Sequence, residues 1–368
     1  MRRVKLSPRS RTTAAVAVLA ILVVVLAFVR AKTAPSGTAP KVAVEPLVEP
    51  AVAETWTVAA VTVSRRGTRP FLFGRQDGQW RCLTHANAWV TEGAIDQLIA
   101  DLLNAQVSPR GRTAEPARYG LTSVPELRIE LHGPQVLAQP DRDVLFTLDV
   151  GDALSAQGTN FVRIPGRDGV LALELDLVER LASEPGQPPL IEKLLIPTAW
   201  DGRTRGVDQV LVERDGGTGI ALARERLPAG PDGEEAWRWR LERLEGGGVR
   251  DAEEGLAGLY LTFLFRVEFE RLLEARDVDP ELALHPVARI QLFATGSEPP
   301  LELALLPPLA DGRRVVLQAK DRLVLEITDE VAALLAATYE HLVDIETTPA
   351  WDRWLRVQLP PDLMQERR

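Results

Sequence analysis

The sequence predicts an α+β protein: an N-terminal transmembrane helix followed by two tandem, internally duplicated units, each an antiparallel sheet with helices. Three observations carry this expectation. An uncharged apolar run follows a basic N-terminus. Short apolar runs separated by Gly-containing turns fill both halves of the remainder, the pattern of antiparallel meanders. The stretch from Trp80 to Leu131 also returns, weakly, from Trp239 to Leu292.

From Thr12 to Val29 there are 18 residues without a charge, enough to cross a hydrocarbon core as a helix. Arg2, Arg3, Lys5, Arg9 and Arg11 precede it, which makes residues 1–11 a cytoplasmic tail and 12–29 the span. The competing reading is a cleaved signal peptide. The run is longer than a usual h-region, and Arg30 and Lys32 stand where small neutral residues mark cleavage, so an uncleaved anchor is preferred. Ala31 and Ala34 leave cleavage open, and either way the rest of the chain is exported.

Residues 30–53 are rich in Ala, Pro and Val, with Pro35, Pro40, Pro46 and Pro50, and predict an extended spacer. The first unit is placed at 54–204. Its strands are read around Val61–Val63, Pro70–Phe73, Trp80–Leu83, Leu127–Leu131, Val144–Val150, Phe161–Ile164 and Leu171–Leu175. Thr91 is the expected N-cap of a helix running to about Val107, with Ile95, Leu98, Ile99 and Leu102 on one face. The second unit, 205–356, repeats the order. It opens with a hairpin around Gly216–Gly219, has a helix from about Asp251, four strands between Ala288 and Ile327, and a closing helix capped by Thr328. A short tail, 357–368, follows.

Trp80 and Arg81 match Trp239 and Arg240, and Val90 matches Val249. Leu121, Pro125, Arg128, Ile129 and Leu131 match Leu282, Pro286, Arg289, Ile290 and Leu292. Even Trp200-Asp201 and Trp351-Asp352 recur at corresponding exits. At 368 residues the chain exceeds what one core usually organises.

The net charge is −9, and residues 1–32 hold seven Lys or Arg and no acid, which leaves −16 on the remainder. An exported body that acidic is a poor ligand for nucleic acid or an anionic lipid surface. Cys82 is the single cysteine, so no intrachain disulfide forms; in a strand pattern beside Trp80 it reads as a small buried hydrophobe.

At the Trp80 strand, the helix after it, Tyr119-Gly120-Leu121 with Pro125, and Asn160-Phe161-Val162-Arg163, the chain resembles a bacterial family called domain of unknown function 4340, over roughly residues 60–200. In the second copy Glu281-Leu282-Ala283 stands in place of Tyr-Gly-Leu, so the resemblance is carried by the first. Family members are usually membrane-anchored, and some are encoded beside ABC transporters related to gliding-motility export. The resemblance implies a bacterial inner-membrane location with a periplasmic ectodomain and an envelope accessory role. It supplies no catalytic residues.

No catalytic, cofactor-binding or metal site is expected. His85, His132, His285 and His341 form no HxH, HExxH or His-Cys pairing. Gly216–Gly219 lacks a following Gly-Lys-Ser/Thr and reads as a hairpin turn, and Gly246-Gly247-Gly248 likewise lacks a partner lysine. Ser64, Ser155 and Ser183 lie in no Gly-x-Ser-x-Gly elbow. Asp141, Asp143, Asp149 and Asp152 cluster without EF-hand spacing and read as a solvated loop. The repeated Trp-Asp exits read as structural locks, each Trp packed on its own unit.

The candidate surface is the helix over Leu256–Phe269, apolar nearly all round: Leu256, Leu259, Tyr260, Phe263, Phe265, Val267 and Phe269. Such a helix must be covered on every side, either by burial between the repeats, the favoured reading, or by a docked partner. The expected function is that of a single-pass envelope protein with a non-enzymatic, protein-interaction or scaffolding ectodomain, an ABC-transporter accessory. The alternative is a module binding an envelope polymer or small ligand in a cleft between the repeats, which a Trp-lined cleft would favour. A third is an envelope hydrolase, which a buried carboxylate pair with raised pKa would favour.

Overall fold

The computed structural model describes residues 44–109, 115–135, 143–154, 159–200, 206–227, 237–246, 249–252, 254–294 and 300–336. The first sheet uses β1 (Glu45–Pro46), β2 (Ala60–Arg65), β3 (Phe71–Gln76), β4 (Gln79–Cys82), β5 (Ala88–Trp89), β6 (Gln106–Pro109), β7 (Leu127–His132), β8 (Val144–Leu154), β9 (Asn160–Arg163) and β10 (Leu171–Leu173). The second uses β11 (Val207–Arg214), β12 (Gly219–Arg226), β13 (Trp237–Arg243), β14 (Val249–Asp251), β15 (Arg271–Leu273), β16 (Ala288–Ala294), β17 (Leu301–Leu305), β18 (Arg314–Gln318) and β19 (Leu323–Ile327). The helices are α1 (Pro50–Ala53), α2 (Ala94–Asn104), α3 (Leu177–Arg180), α4 (Glu254–Arg266) and α5 (Asp329–Leu335).

This overturns the expected α+β class. The described residues form two antiparallel sheets, of ten and nine strands, with few helices. The physical reason is the edges. β1, β5, β6, β14 and β15 are two to four residues long, too short to show an alternating pattern, and they widen each sheet beyond its readable meander. The helix expected to run to Val107 stops at Asn104, and Val107 instead lies in β6, paired with Glu45. Residues 45–53, placed in the spacer, hold β1 and α1, and Leu47 and Val48 are buried. No helix among the described residues is long and apolar enough to cross a membrane; the span expected at 12–29 lies outside them.

The strand order is β1-β6-β10-β9-β8-β7-β2-β3-β4-β5 in the first sheet and β15-β19-β18-β17-β16-β11-β12-β13-β14 in the second. Apart from β1 the two orders are the same: a four-stranded meander, a helix, one strand on the far edge, and a second meander that returns to the first strand. Alternation builds the centre, as in β16, where Ala288, Ile290, Leu292 and Ala294 are buried and the residues between them are less so. The β3–β4 turn is Asp77-Gly78, with φ of 50° and 81°, the left-handed pair that a tight two-residue hairpin requires.

α2 leaves β5 on one edge and leads to β6 near the other, so it crosses a face of the first sheet. Ile95, Leu98 and Leu102 on its inner side are fully buried. Its N-cap is Gly93 at φ 71°, without a side-chain cap bond, and not Thr91. Thr328 does cap α5, its hydroxyl accepting from Val331 N at 3.2 Å.

The residues that carry the family resemblance have local structural roles. Gly120 adopts φ 69°, and the preceding Tyr119 carbonyl lies so close to β8 that a Cβ on Gly151 would stand 1.8 Å from it. Tyr119 packs its ring 4.5 Å from Phe161. Asn160 Oδ1 accepts from Leu177 N, and Arg163 donates to the buried Asp149 at 2.7 Å.

One contiguous apolar core spans both sheets. Residues 187–195 join them: Ile191 bridges to Val90 of the first sheet and Leu194 to Glu268 beside the second. Gln187 is buried and pairs with both backbone groups of Leu272 on the edge strand β15. Its amide donates to the carbonyl at 2.9 Å and its oxygen accepts from the N–H at 2.8 Å. A side chain thus covers a strand edge that would otherwise be open to pairing.

Candidate functional site

The apolar helix buries one side and leaves Gly258 and Arg266 exposed. Leu259, Tyr260 and Phe263 are buried on α4, and Val267 and Phe269 are buried just beyond it. Phe265 is partly buried, 6.2 Å from the Trp200 ring. The Leu256 side chain lies outside the described residues. Helix geometry ends at Arg266, and the chain continues as a short extended stretch whose backbone bonds to Lys193 and Leu195. Trp200 therefore packs across to the helix of the second unit, where packing on its own unit was expected; Asp201 and Trp351-Asp352 lie outside the described residues.

The surface feature at the junction is a groove of about 960 Å³. One wall is the β2–β3 turn, with Thr68, Arg69 and Phe71; the other is the edge strand β15 and the turn after it, with Glu274 and Arg276. His85 forms part of its lining, its ring 4.9 Å from Phe71. The next two residues, Ala86 and Asn87, both take left-handed backbone, φ 49° and 59°, a conformation that costs non-glycine residues free energy and tends to gather at functional turns. Arg276 pairs with Glu274 at 2.7 Å. Burial lowers the His85 pKa, and Glu274 and a bond to the Gly186 backbone only partly oppose it, so the imidazole is neutral at pH 7.

The other sequence candidates resolve into structure. His132 is buried at the end of β7, with Nε2 2.8 Å from Thr62 Oγ1. Asp143 Oδ2 accepts from Gln135 N at 2.6 Å. Asp149 is fully buried and held by Arg128 and Arg163, each at 2.7 Å, so it is the anchor of an ion triad and no part of a solvated loop. His341 and Asp141 lie outside the described residues. Gly216–Gly219 forms the β11–β12 hairpin.

Among the described residues no three His, Cys, Asp or Glu side chains gather as a metal site. Among the described residues two carboxyls are clearly shifted, and both go down. Burial pushes Asp101 up, but bonds from Arg180 and Gln97 outweigh it; backbone and side-chain bonds from Arg313 lower Asp311. Neither is the raised carboxylate that acid catalysis needs. The groove itself left no motif in the sequence, because its walls come from segments about 200 residues apart.

No protein-family model, no curated protein and no solved structure matches this chain.

Proposed function

We propose that the chain is a single-pass, membrane-anchored envelope protein whose exported double-sheet body binds other proteins and performs no chemistry. An accessory role to an ABC-type transporter is the partner class implied by the resemblance to the domain of unknown function 4340 family. The observation that carries the reading is the groove at the junction of the sheets. Its polar groups are two arginines, a glutamate, two hydroxyls and a neutral histidine around an apolar floor, a set suited to holding a partner segment. The uncharged run 12–29 and its basic flank support the anchor.

The test places a photo-crosslinking residue at Arg69, and separately at Arg276, in the full chain in cells. A membrane protein should be captured from both positions and not from Leu284, which is 70 % exposed elsewhere. Capture of nothing from the groove, with the protein present in the membrane, sinks the proposal. A second reading, a module for an envelope polymer or small ligand, is favoured by one feature: a separate cleft walled by Trp80 and Trp89.

A further inference from the structure

Along β17–β19, Leu303, Leu305, Val316, Leu323 and Leu325 join the main core. The alternating Ala304, Val315 and Val324 form a second, smaller apolar cluster on the opposite face. The turns between β15 and β16 stand over that face and leave a pocket of about 470 Å³. Val278, Pro280, Ala283, Leu306, Leu317 and Val324 line it, with two charged side chains, Asp279 and Arg322. Asp279 Oδ1 already accepts from Glu281 N at 3.0 Å and so caps the turn Pro280–Leu284. Arg322 is exposed, and among the described residues its guanidinium holds no carboxylate, whereas Arg276, Arg313 and Arg314 of the same unit each hold one. Its backbone is left-handed, φ 55°, a conformation that glycine takes without penalty. Strain kept at a non-glycine residue tends to gather at functional positions.

The first sheet shows what the same place holds when it is closed. Ladder pairing sets the equivalence: Leu127 faces Val150, which faces Val162, and Ala288 faces Leu305, which faces Val316. Asp149 and Arg163 therefore correspond to Ala304 and Leu317, and Gly151 to Leu306. In the first sheet the ion triad on Asp149 and the Tyr119 carbonyl against Gly151 fill this ground. Leu121 is buried there, whereas Leu282, its sequence match, is only partly buried. The second copy has lost the charges, made the face apolar and left it open.

Apolar surface left open to water costs free energy, which an apolar occupant recovers. A peptide brings an N–H and a C=O per residue that need partners, and the lining side chains offer hydrogen bonds at two points only. An aliphatic chain needs none. Of the two charges the carboxylate is engaged as a cap and the guanidinium is free, so the rim selects an anionic head. We propose that this pocket takes one aliphatic chain, that of a fatty-acid carboxylate, whose head pairs with Arg322. The pocket shares Ala275 with the groove at the junction of the sheets, but the inference stands whether or not the groove captures a protein.

The test incubates the full chain in phosphatidylcholine discs with a diazirine-bearing hexadecanoate, irradiates it and maps the adduct by mass spectrometry. Labelling should fall within residues 275–283 and 317–324, the two walls of the pocket. Ala319→Trp, at an exposed lining position, should abolish it with thermal unfolding unchanged. Arg322→Gly removes the head's partner and the left-handed penalty together. Capture should weaken by about two- to fivefold, the range for an exposed ion pair, while the melting temperature does not fall. Asp279→Asn keeps the cap acceptor and removes a negative charge, so capture should rise. Unlabelled hexadecanoate should compete, and hexadecyltrimethylammonium should not. Labelling confined to other residues, labelling indifferent to Ala319→Trp or to Arg322→Gly, or equal competition by the cationic amphiphile overturns the proposal. Groove crosslinking without labelling here would remove this inference alone; labelling without a captured partner would remove only the protein-binding proposal.

Discussion

Truncating Phe263 to alanine decides whether α4 is core or a docking surface. Phe263 has no exposed area, and its ring stacks 6.4 Å from that of the equally buried Tyr260. Returning a phenylalanine side chain to water is worth about 1.5–3 kcal/mol. The cavity left behind adds to this, because neighbours anchored on α4 and in the second sheet relax only in part, for a total of about 3–5 kcal/mol. Urea unfolding of the wild type and Phe263→Ala should show that loss as a lower midpoint at unchanged slope. Leu284→Ala, at a site 70 % exposed, is the control and should stay within about 0.5 kcal/mol. A Phe263→Ala loss below about 1 kcal/mol would refute the burial argument and return the helix to the docking reading.

Burial raises the Cys82 thiol to about 11 from 9.0; at pH 8 its thiolate fraction is about a hundredfold lower, so native alkylation should be at least that much slower than in denaturant, and equal rates would contradict the packing. Burial lowers the His132 pKa from 6.5, with Glu130 and Asp143 opposing. The unfolded chain thus binds a proton that the folded one resists, and stability is full above pH 6.5 and lost as pH falls toward the folded pKa. His132→Gln should lose less melting temperature than wild type between about pH 7.5 and 5.5; parallel curves would exclude the role. In Gly151→Ala a Cβ 1.8 Å from the Tyr119 carbonyl forces strand and turn apart, a destabilisation of about 1–3 kcal/mol, and an unchanged melting temperature would refute the close approach. Gln187→Leu strands both backbone groups of Leu272 and should cost about 1–3 kcal/mol for each, measured by denaturation; a neutral effect would mean that the edge is covered by something else.

What could be read beforehand was local. The long strands β2, β7, β11 and β16 showed in their alternating residues, and Gly216–Gly219 in its turn chemistry. Thr328 was visible as a cap, and it accepts a backbone N–H of the helix it starts. Thr91 failed as a cap because Gly93, two residues on, turns the chain by its left-handed φ. The Trp-lined cleft was half visible: Trp80 stood out as a repeated residue, but nothing near it in sequence announced Asp321, 232 residues from Trp89.

Taken alone, the amino-acid order settled the apolar N-terminal run, the acidic remainder, the lone buried thiol's neighbourhood and the periodicity of the central strands, since each depends on residues within a turn or a strand of one another. The tertiary structure alone decided the class, the shared core and both clefts. Two-residue edge strands exist only because a partner strand is present to bond them, and a cleft wall such as Trp89–Asp321 exists only once distant turns have packed together. Hydrogen bonds across a ladder and contacts across a junction have no sequence period, so no local pattern encodes them.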